Sequence, residues 1–259
     1  MDYETISWDV PEQGLGEISL NRPRRFNSVS YRMMEELEHI WEFIRRNKDI
    51  LVVILKGSGE RGFCAGLDMK EAVTLIGSMN ADQFYEFQSR LARIMVAMRR
   101  APQPIVCAIH GPAVGLGFSM ALASDVRIIS SDARFSAAFI NVGLGGADMA
   151  CSYFLPRLMG AGRAYELMLT GNFLSAQEAL SLGLVSRVVE RDSLMAETLD
   201  MARTIKGKNP LGLRLTKEAI NVNMDVGGLE QALSIEDRNQ TLLLLRSMLE
   251  RGNKASRYF

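Results

Sequence analysis

The spacing of hydrophobic residues changes along this chain, and each change predicts a different element. Residues 4–8 and 15–20 are short β-rich runs that stand before the turn-like Asn21-Arg22-Pro23. The period then lengthens: between Ser30 and Asn47, Met33, Leu37, Ile40, Trp41 and Ile44 recur at helical spacing, with Ser30 placed as the N-cap. Residues 50–55 are continuously apolar and mostly β-branched, as a strand covered on both faces must be, and residues 104–109 and 125–129 repeat that character. A second helical stripe, Phe84, Phe87, Leu91, Ile94 and Met98, lies between them. Beyond Arg191 no strand pattern survives, and residues 192–206, 210–221 and 228–249 carry helical spacing with capping residues. The expected fold is α/β, with a core over residues 1–190 and a helical region over 191–259 that packs on the core or on a neighbouring subunit.

Composition narrows the partners. A chain of 259 residues, 47% of them hydrophobic, is long enough for one sizeable core. Lys plus Arg (30) balance Asp plus Glu (30), so no basic field concentrates nucleic acid, and no nucleic-acid partner is expected. Cys64, Cys107 and Cys151 are odd in number and widely spaced, which suits a reducing compartment and supports neither a disulfide framework nor a metal cluster. The acidic start Met1-Asp2-Tyr3-Glu4-Thr5 lacks the features of a signal peptide, and no stretch approaches transmembrane length. A cytoplasmic protein without a membrane partner is expected; a removed mitochondrial presequence stays open.

Two glycine-containing loops follow buried strands and end at helix starts. The first runs from Gly57 through Gly62-Phe63-Cys64-Ala65-Gly66-Leu67 to Asp68, whose spacing from Glu71 suggests a capping box. The second is His110-Gly111-Pro112-Ala113-Val114-Gly115-Leu116-Gly117-Phe118-Ser119. At such positions the amide N–H groups of Leu67 and Leu116 are unpaired donors, and two of them converging on one cleft make an oxyanion hole. The plainer reading of either loop alone is that its glycines serve turn geometry.

The residues 63–71, Phe-Cys-Ala-Gly-Leu-Asp-Met-Lys-Glu, resemble the crotonase signature F-x-A-G-x-D-x-x-E, and residues 110–119 resemble its second block, N-G-x-x-x-G-G-G. Asn21-Arg22-Pro23 with Asn27, residues 155–160, and the run from Leu169-Thr170-Gly171 through Ala176 to Gly183-Leu184-Val185 are similar to further blocks of the same superfamily, in order along nearly the whole chain. The resemblance implies a spiral of ββα repeats with a helical carboxyl-terminal trimerisation region, assembly as a homotrimer or homohexamer, and an acyl-CoA thioester as substrate. It implies no separate cofactor, since CoA is part of the substrate. By position it implies substrate contacts at Arg25, Ala65, Gly66, Asp68, Gly115, Ser119 and Phe139, with Lys254 or Arg257 reaching the CoA phosphates.

Hydratases of the superfamily use two glutamates, and the matching positions here read Ser119 and Phe139. Neither exchanges a proton as a carboxylate. Asp148, in Gly143-Leu144-Gly145-Gly146-Ala147-Asp148, falls near the catalytic aspartate of the superfamily's dienoyl-CoA isomerases, with one extra loop residue. Its apolar neighbours Phe139, Leu144 and Met149 suit it to take and return a proton. The plainer reading makes Asp148 the cap of a helix beginning at Met149. The expected activity is an enoyl-CoA isomerase with Asp148 as shuttle and Leu67 and Leu116 as donors. The alternatives are a hydratase in which Asp148 orients water and a non-catalytic acyl-CoA-binding protein. His110, Cys64 and Cys107 read as structural residues.

Overall fold

The structure is a computed structural model that describes residues 2–255, with side chains as far as Leu249. In chain order the strands are β1 (Ile6–Glu12), β2 (Leu15–Leu20), β3 (Val52–Gly57), β4 (Ile105–Ile109), β5 (Pro112–Val114), β6 (Val126–Ser130), β7 (Arg134–Ser136), β8 (Leu174–Ser175) and β9 (Arg187–Val189). The helices are α1 (Tyr31–Arg46), α2 (Met69–Ile76), α3 (Ala81–Arg100), α4 (Leu116–Ala123), α5 (Cys151–Met159), α6 (Ala161–Thr170), α7 (Ala176–Ser181), α8 (Leu194–Lys206), α9 (Pro210–Asn223) and α10 (Leu229–Ala255).

The long apolar strands assemble into one sheet in the order β1-β2-β3-β4-β6-β9, antiparallel only at the β1–β2 hairpin. Their continuous hydrophobicity has a direct cause. Alternate residues of each parallel strand feed opposite cores: Val53 and Leu55 join the larger one beneath α1, α3 and α4, whereas Val52, Ile54, Val106 and Ala108 meet Leu194 and Ala202 of α8. The hairpin begins at Ile6 rather than at residue 4, because buried Glu36 on α1 accepts the amides of Glu4 (2.8 Å) and Thr5 (2.9 Å) and draws them off the ladder. Ser30 caps α1 as its position predicts, its hydroxyl accepting from Met33 N–H at 3.1 Å.

A smaller layer, β5-β7-β8, lies beside the main sheet. Two extended segments lengthen it. Residues 63–67 bridge to Val29 on one side, where Val29 N–H donates to Gly66 C=O (2.7 Å), and to β5 on the other, where Val114 N–H donates to Cys64 C=O (2.9 Å). Each turn of the chain therefore runs through a strand of the large sheet, a glycine turn, a short extended piece of the small layer and a helix. Residues 52–76 make one such turn and residues 105–123 the next, which is the expected spiral of ββα repeats.

The chain divides into two compact units that meet at Lys206–Gly207. The sequence pattern groups α8 with the helical end, but α8 covers one face of the sheet and belongs to the first unit. The second unit is built on α9 and α10, joined in part by Asn239, whose amide donates to Leu215 C=O at 3.3 Å. No helix among the described residues is long and apolar enough to cross a membrane.

Candidate active site

The first wall of the site is backbone. Gly66 sits at φ +89°, and a methyl built on it would lie 2.8 Å from Val114 C=O and 3.5 Å from the Leu116 amide nitrogen. A methyl on Gly117 would come within 2.4 Å of Cys64 C=O. The two loops interlock only because both residues lack a side chain. Leu67 N–H and Leu116 N–H, one at the end of the bridged segment and the other at the first residue of α4, have no acceptor among the described residues.

The early Asn21-Arg22-Pro23…Asn27 motif supports this wall. Asn27, buried and at φ +53°, accepts from Arg22 N–H (3.0 Å) and donates to Ser58 C=O (2.9 Å) and Gly62 C=O (3.0 Å), tying one turn of the spiral to the next. Asp68 caps α2, its carboxylate accepting from Glu71 N–H and pairing with Arg22 at 3.0 Å. The expected capping box does not close. Asp68 N–H already donates to Val29 C=O, and the Glu71 carboxylate instead accepts Tyr31 N–H. Burial works against ionisation of Asp68, but the hydrogen bonds from Arg22 and from the Glu71 amide, together with the charge of Arg22, outweigh it and hold its pKa below the usual carboxylate value.

The opposite wall comes from the segment 138–149 and from α3. Between the two walls lies a cavity of about 140 Å³, which Ala65, Gly66, Leu67, Gly115 and Leu116 line on the backbone side. Phe139, Val142, Leu144, Asp148 and Met149 face them, and Gln88 and Leu91 of α3 close the space. Asp148 is the one ionisable side chain in this lining. Its Oδ1 accepts two hydrogen bonds, from Gln88 Nε2 and from Met149 N–H, each at 2.8 Å.

The helix-cap reading of Asp148 is corrected by the backbone. Helix α5 begins at Cys151, its N-cap is Ala150, and no side chain caps it. Met149 (φ +46°) and Ala150 (φ +66°) are both left-handed, which costs energy for residues with a Cβ and marks a turn held by its surroundings. Phe139 occupies the place where the resemblance puts a hydratase glutamate. Its ring lies 3.6 Å from the position of a methyl on Gly115 and roofs that glycine.

The other residues picked from sequence lie elsewhere. Ser119 is fully buried behind the wall, its hydroxyl donating to Gly115 C=O at 3.2 Å and meeting Cys151 Sγ at 3.4 Å. Arg25 ends an exposed 3-10 turn, Pro23–Arg25, and Asp68 turns its carboxylate to Arg22; neither lines the cavity. Arg257 lies outside the described residues, as does the side chain of Lys254. His110 borders a different cavity of about 400 Å³, and burial first, then the charge of Arg191, holds it below the usual histidine value. The three cysteines are unpaired and buried, and burial pushes the thiols of Cys64 and Cys107 up to about 12, which leaves them inert. No group of three metal-ligating side chains gathers among the described residues.

Gln88 escaped the sequence reading. It sits within the apolar stripe of α3, four residues after Phe84 and three before Leu91, and a polar residue interrupting an apolar helical stripe was the available signal.

A ββα spiral whose interlocked glycine loops line an apolar cavity with one carboxylate, the Leu67 and Leu116 amides having no acceptor among the described residues, has the fold and site of the crotonase class. Comparison with known proteins agrees. The chain matches the enoyl-CoA hydratase/isomerase family over residues 11–255 and belongs to it. It is 36% identical to the Mycobacterium leprae protein named "Probable enoyl-CoA hydratase echA12", the match covering 94% of this chain and 84% of that one. Among solved structures it resembles an enoyl-CoA hydratase of Bacillus anthracis, with a TM-score of 0.86, 35% identity and coverage of 96% and 97% of the two chains. It also resembles a monofunctional enoyl-CoA isomerase of Mycobacterium smegmatis, with a TM-score of 0.75, 35% identity and coverage of 88% and 98%.

Proposed function

We propose that this enzyme shifts a double bond in an enoyl-CoA. The observation that carries the reading is a lining with one carboxylate, Asp148, opposite two unpaired amides, Leu67 and Leu116. A thioester oxygen seated between the amides takes up negative charge as Asp148 removes a proton from C2 of a 3-enoyl-CoA. The C–H electron pair moves into the conjugated dienolate, Asp148 carries the proton, and its return to C4 gives the 2-enoyl-CoA with nothing gained or lost. Each donor of this kind contributes about 3 kcal/mol to the transition state. One acid–base group suffices for the transfer, and no cofactor is required beyond the CoA of the substrate.

Water addition needs a second group to position the nucleophile. The phenyl ring of Phe139 stands where that group would be, which favours isomerisation. The hydratase reading keeps Asp148 and draws its support from the likeness to the Bacillus anthracis enzyme. Supplying 3-hexenoyl-CoA and 2-hexenoyl-CoA separately divides the two. Conversion of the first without a 3-hydroxyacyl product from the second supports the isomerase, and a hydroxyacyl product as the main outcome overturns it. An enzyme that binds both esters and changes neither would be a silent binder.

Assembly as a homotrimer or homohexamer is part of the same proposal. It is supported by the apolar side chains that α10 leaves exposed, Leu242, Leu244, Leu245, Met248 and Leu249. Light scattering on the eluting protein reads the mass directly, and a monomer would end this part of the reading.

A further inference from the structure

Gln88 is placed to decide which oxygen of Asp148 does the work. Its Nε2 and the Met149 amide both donate to Oδ1, each at 2.8 Å, while Oδ2 has no donor among the described residues. A carboxylate with one oxygen accepting two hydrogen bonds and the other none has its plane fixed and one oxygen left without a protein donor. The Met149 donor is local, one residue from Asp148, and constrains the side chain only through a left-handed turn. The Gln88 donor is different in kind, because it comes from α3, sixty residues away in the chain.

Helix α3 is well anchored for such a task. Phe87 and Leu91 are buried on either side of Gln88, and two residues further on Arg90 grips α1 with hydrogen bonds to Glu38 (3.1 and 2.6 Å) and to the Tyr31 hydroxyl (2.7 Å). The side chain that reaches Asp148 therefore projects from a helix clamped to the core. An amide is also the right chemistry for the position: it donates to the carboxylate without carrying a charge that would compete for the proton.

We infer that Gln88 is a positioning residue that holds Asp148 Oδ1 and leaves Oδ2 as the atom that exchanges protons with the acyl-CoA. The inference rests on the proposed role of Asp148, and its test separates the two. The assay is exchange of the α-protons of hexanoyl-CoA with deuterated solvent, followed by mass spectrometry, since it reports proton removal whether the enzyme isomerises or hydrates. Wild type, Gln88→Met, Gln88→Leu, Asp148→Asn and the double variant Gln88→Met/Asp148→Asn are compared, with thermal melting and hexanoyl-CoA affinity measured on each.

Gln88→Met keeps the length and shape of the side chain and removes the donor. The expected result is a 10- to 100-fold slower maximal exchange rate, with affinity within about threefold of wild type and no added loss when Asp148 is already Asn. A purely structural role would instead lower melting and affinity together and would add to the Asp148→Asn loss. Exchange by either folded Gln88 variant within twofold of wild type, beside a dead Asp148→Asn, overturns the inference about Gln88 alone. Undiminished exchange by Asp148→Asn overturns both, as does a wild type that neither exchanges these protons nor converts 3-hexenoyl-CoA or 2-hexenoyl-CoA.

Discussion

The two walls of the cavity are built on opposite principles. The wall at residues 62–68 and 111–117 presents main-chain donors, and its geometry depends on side chains that are missing at Gly66 and Gly117. The wall at residues 138–150 presents one side chain, and its geometry depends on Gln88, Met149 and Ala150, residues of ordinary type in an unusual arrangement. The first sits at the junction of two sheet layers and is braced from both sides by strand-like hydrogen bonds. The second is an irregular loop in which Val142 and Leu144 remain exposed. The first wall is thus held by backbone pairing and the second by side-chain and turn contacts.

The largest effect expected from testing this division is on the acid wall. Asp148→Asn leaves the shape of the lining intact and removes the proposed proton acceptor. Turnover of 3-hexenoyl-CoA should fall by about 10²- to 10⁴-fold with little change in melting. Steady-state kinetics beside a melting curve reads both, and retention of full turnover would dissolve the contrast between the walls.

Gly117→Ala should behave the other way. Its added methyl meets Cys64 C=O and the Cys64 side chain, so stability should fall by about 2 kcal/mol, and activity should fall because the loops part. Urea unfolding gives the first number. A variant as stable as wild type would show that the interlock is looser than the geometry describes.

Asp68→Asn probes the brace behind the backbone wall. The folded-state pKa of Asp68 lies below its unfolded value, so its contribution to stability is present above the unfolded pKa, about 3.9, and is lost as pH falls through the lower folded value. The variant should lose about 1–2 kcal/mol at neutral pH. Its stability should also decline less steeply on acidification below about pH 4 than that of the wild type. Denaturant midpoints across that range test the sign.

The smallest effect belongs to Ala150→Gly. Relief of a left-handed residue offsets the greater chain entropy of glycine, leaving stability within about 1 kcal/mol of wild type. Turnover should drop no more than a few-fold, because Gln88 still holds Asp148. A loss of activity as deep as that of Asp148→Asn would mean that the turn, and not Gln88, sets the carboxylate.

How much of this was readable in the chain follows the same division. Long apolar runs announced β3, β4 and β6, and the helical stripes announced α1 and α3. Both are periodic signals over many residues. The strands β5, β7, β8 and β9 have two or three residues each, too few to show a period, and they exist because neighbouring segments pair with them. The backbone wall was legible because glycine leaves a mark in sequence wherever a Cβ does not fit. The acid wall was legible only in part. Asp148 could be picked by its place in a resembling segment, but nothing local says that Gln88, sixty residues earlier, reaches it. The capping box at Asp68 and Glu71 failed for a related reason: the spacing fitted, but Val29 had already taken the amide the box requires.

The absence of side chains at Gly66 and Gly117 has one further consequence. A distance set by two bare α-carbons has no rotamer to adjust and no methylene to trim, so single substitutions damage the proposed anion cradle without retuning it. Redesign of this scaffold toward another thioester reaction would therefore leave the cradle untouched and rewrite the residues across from it, beginning with Phe139, Asp148 and Gln88.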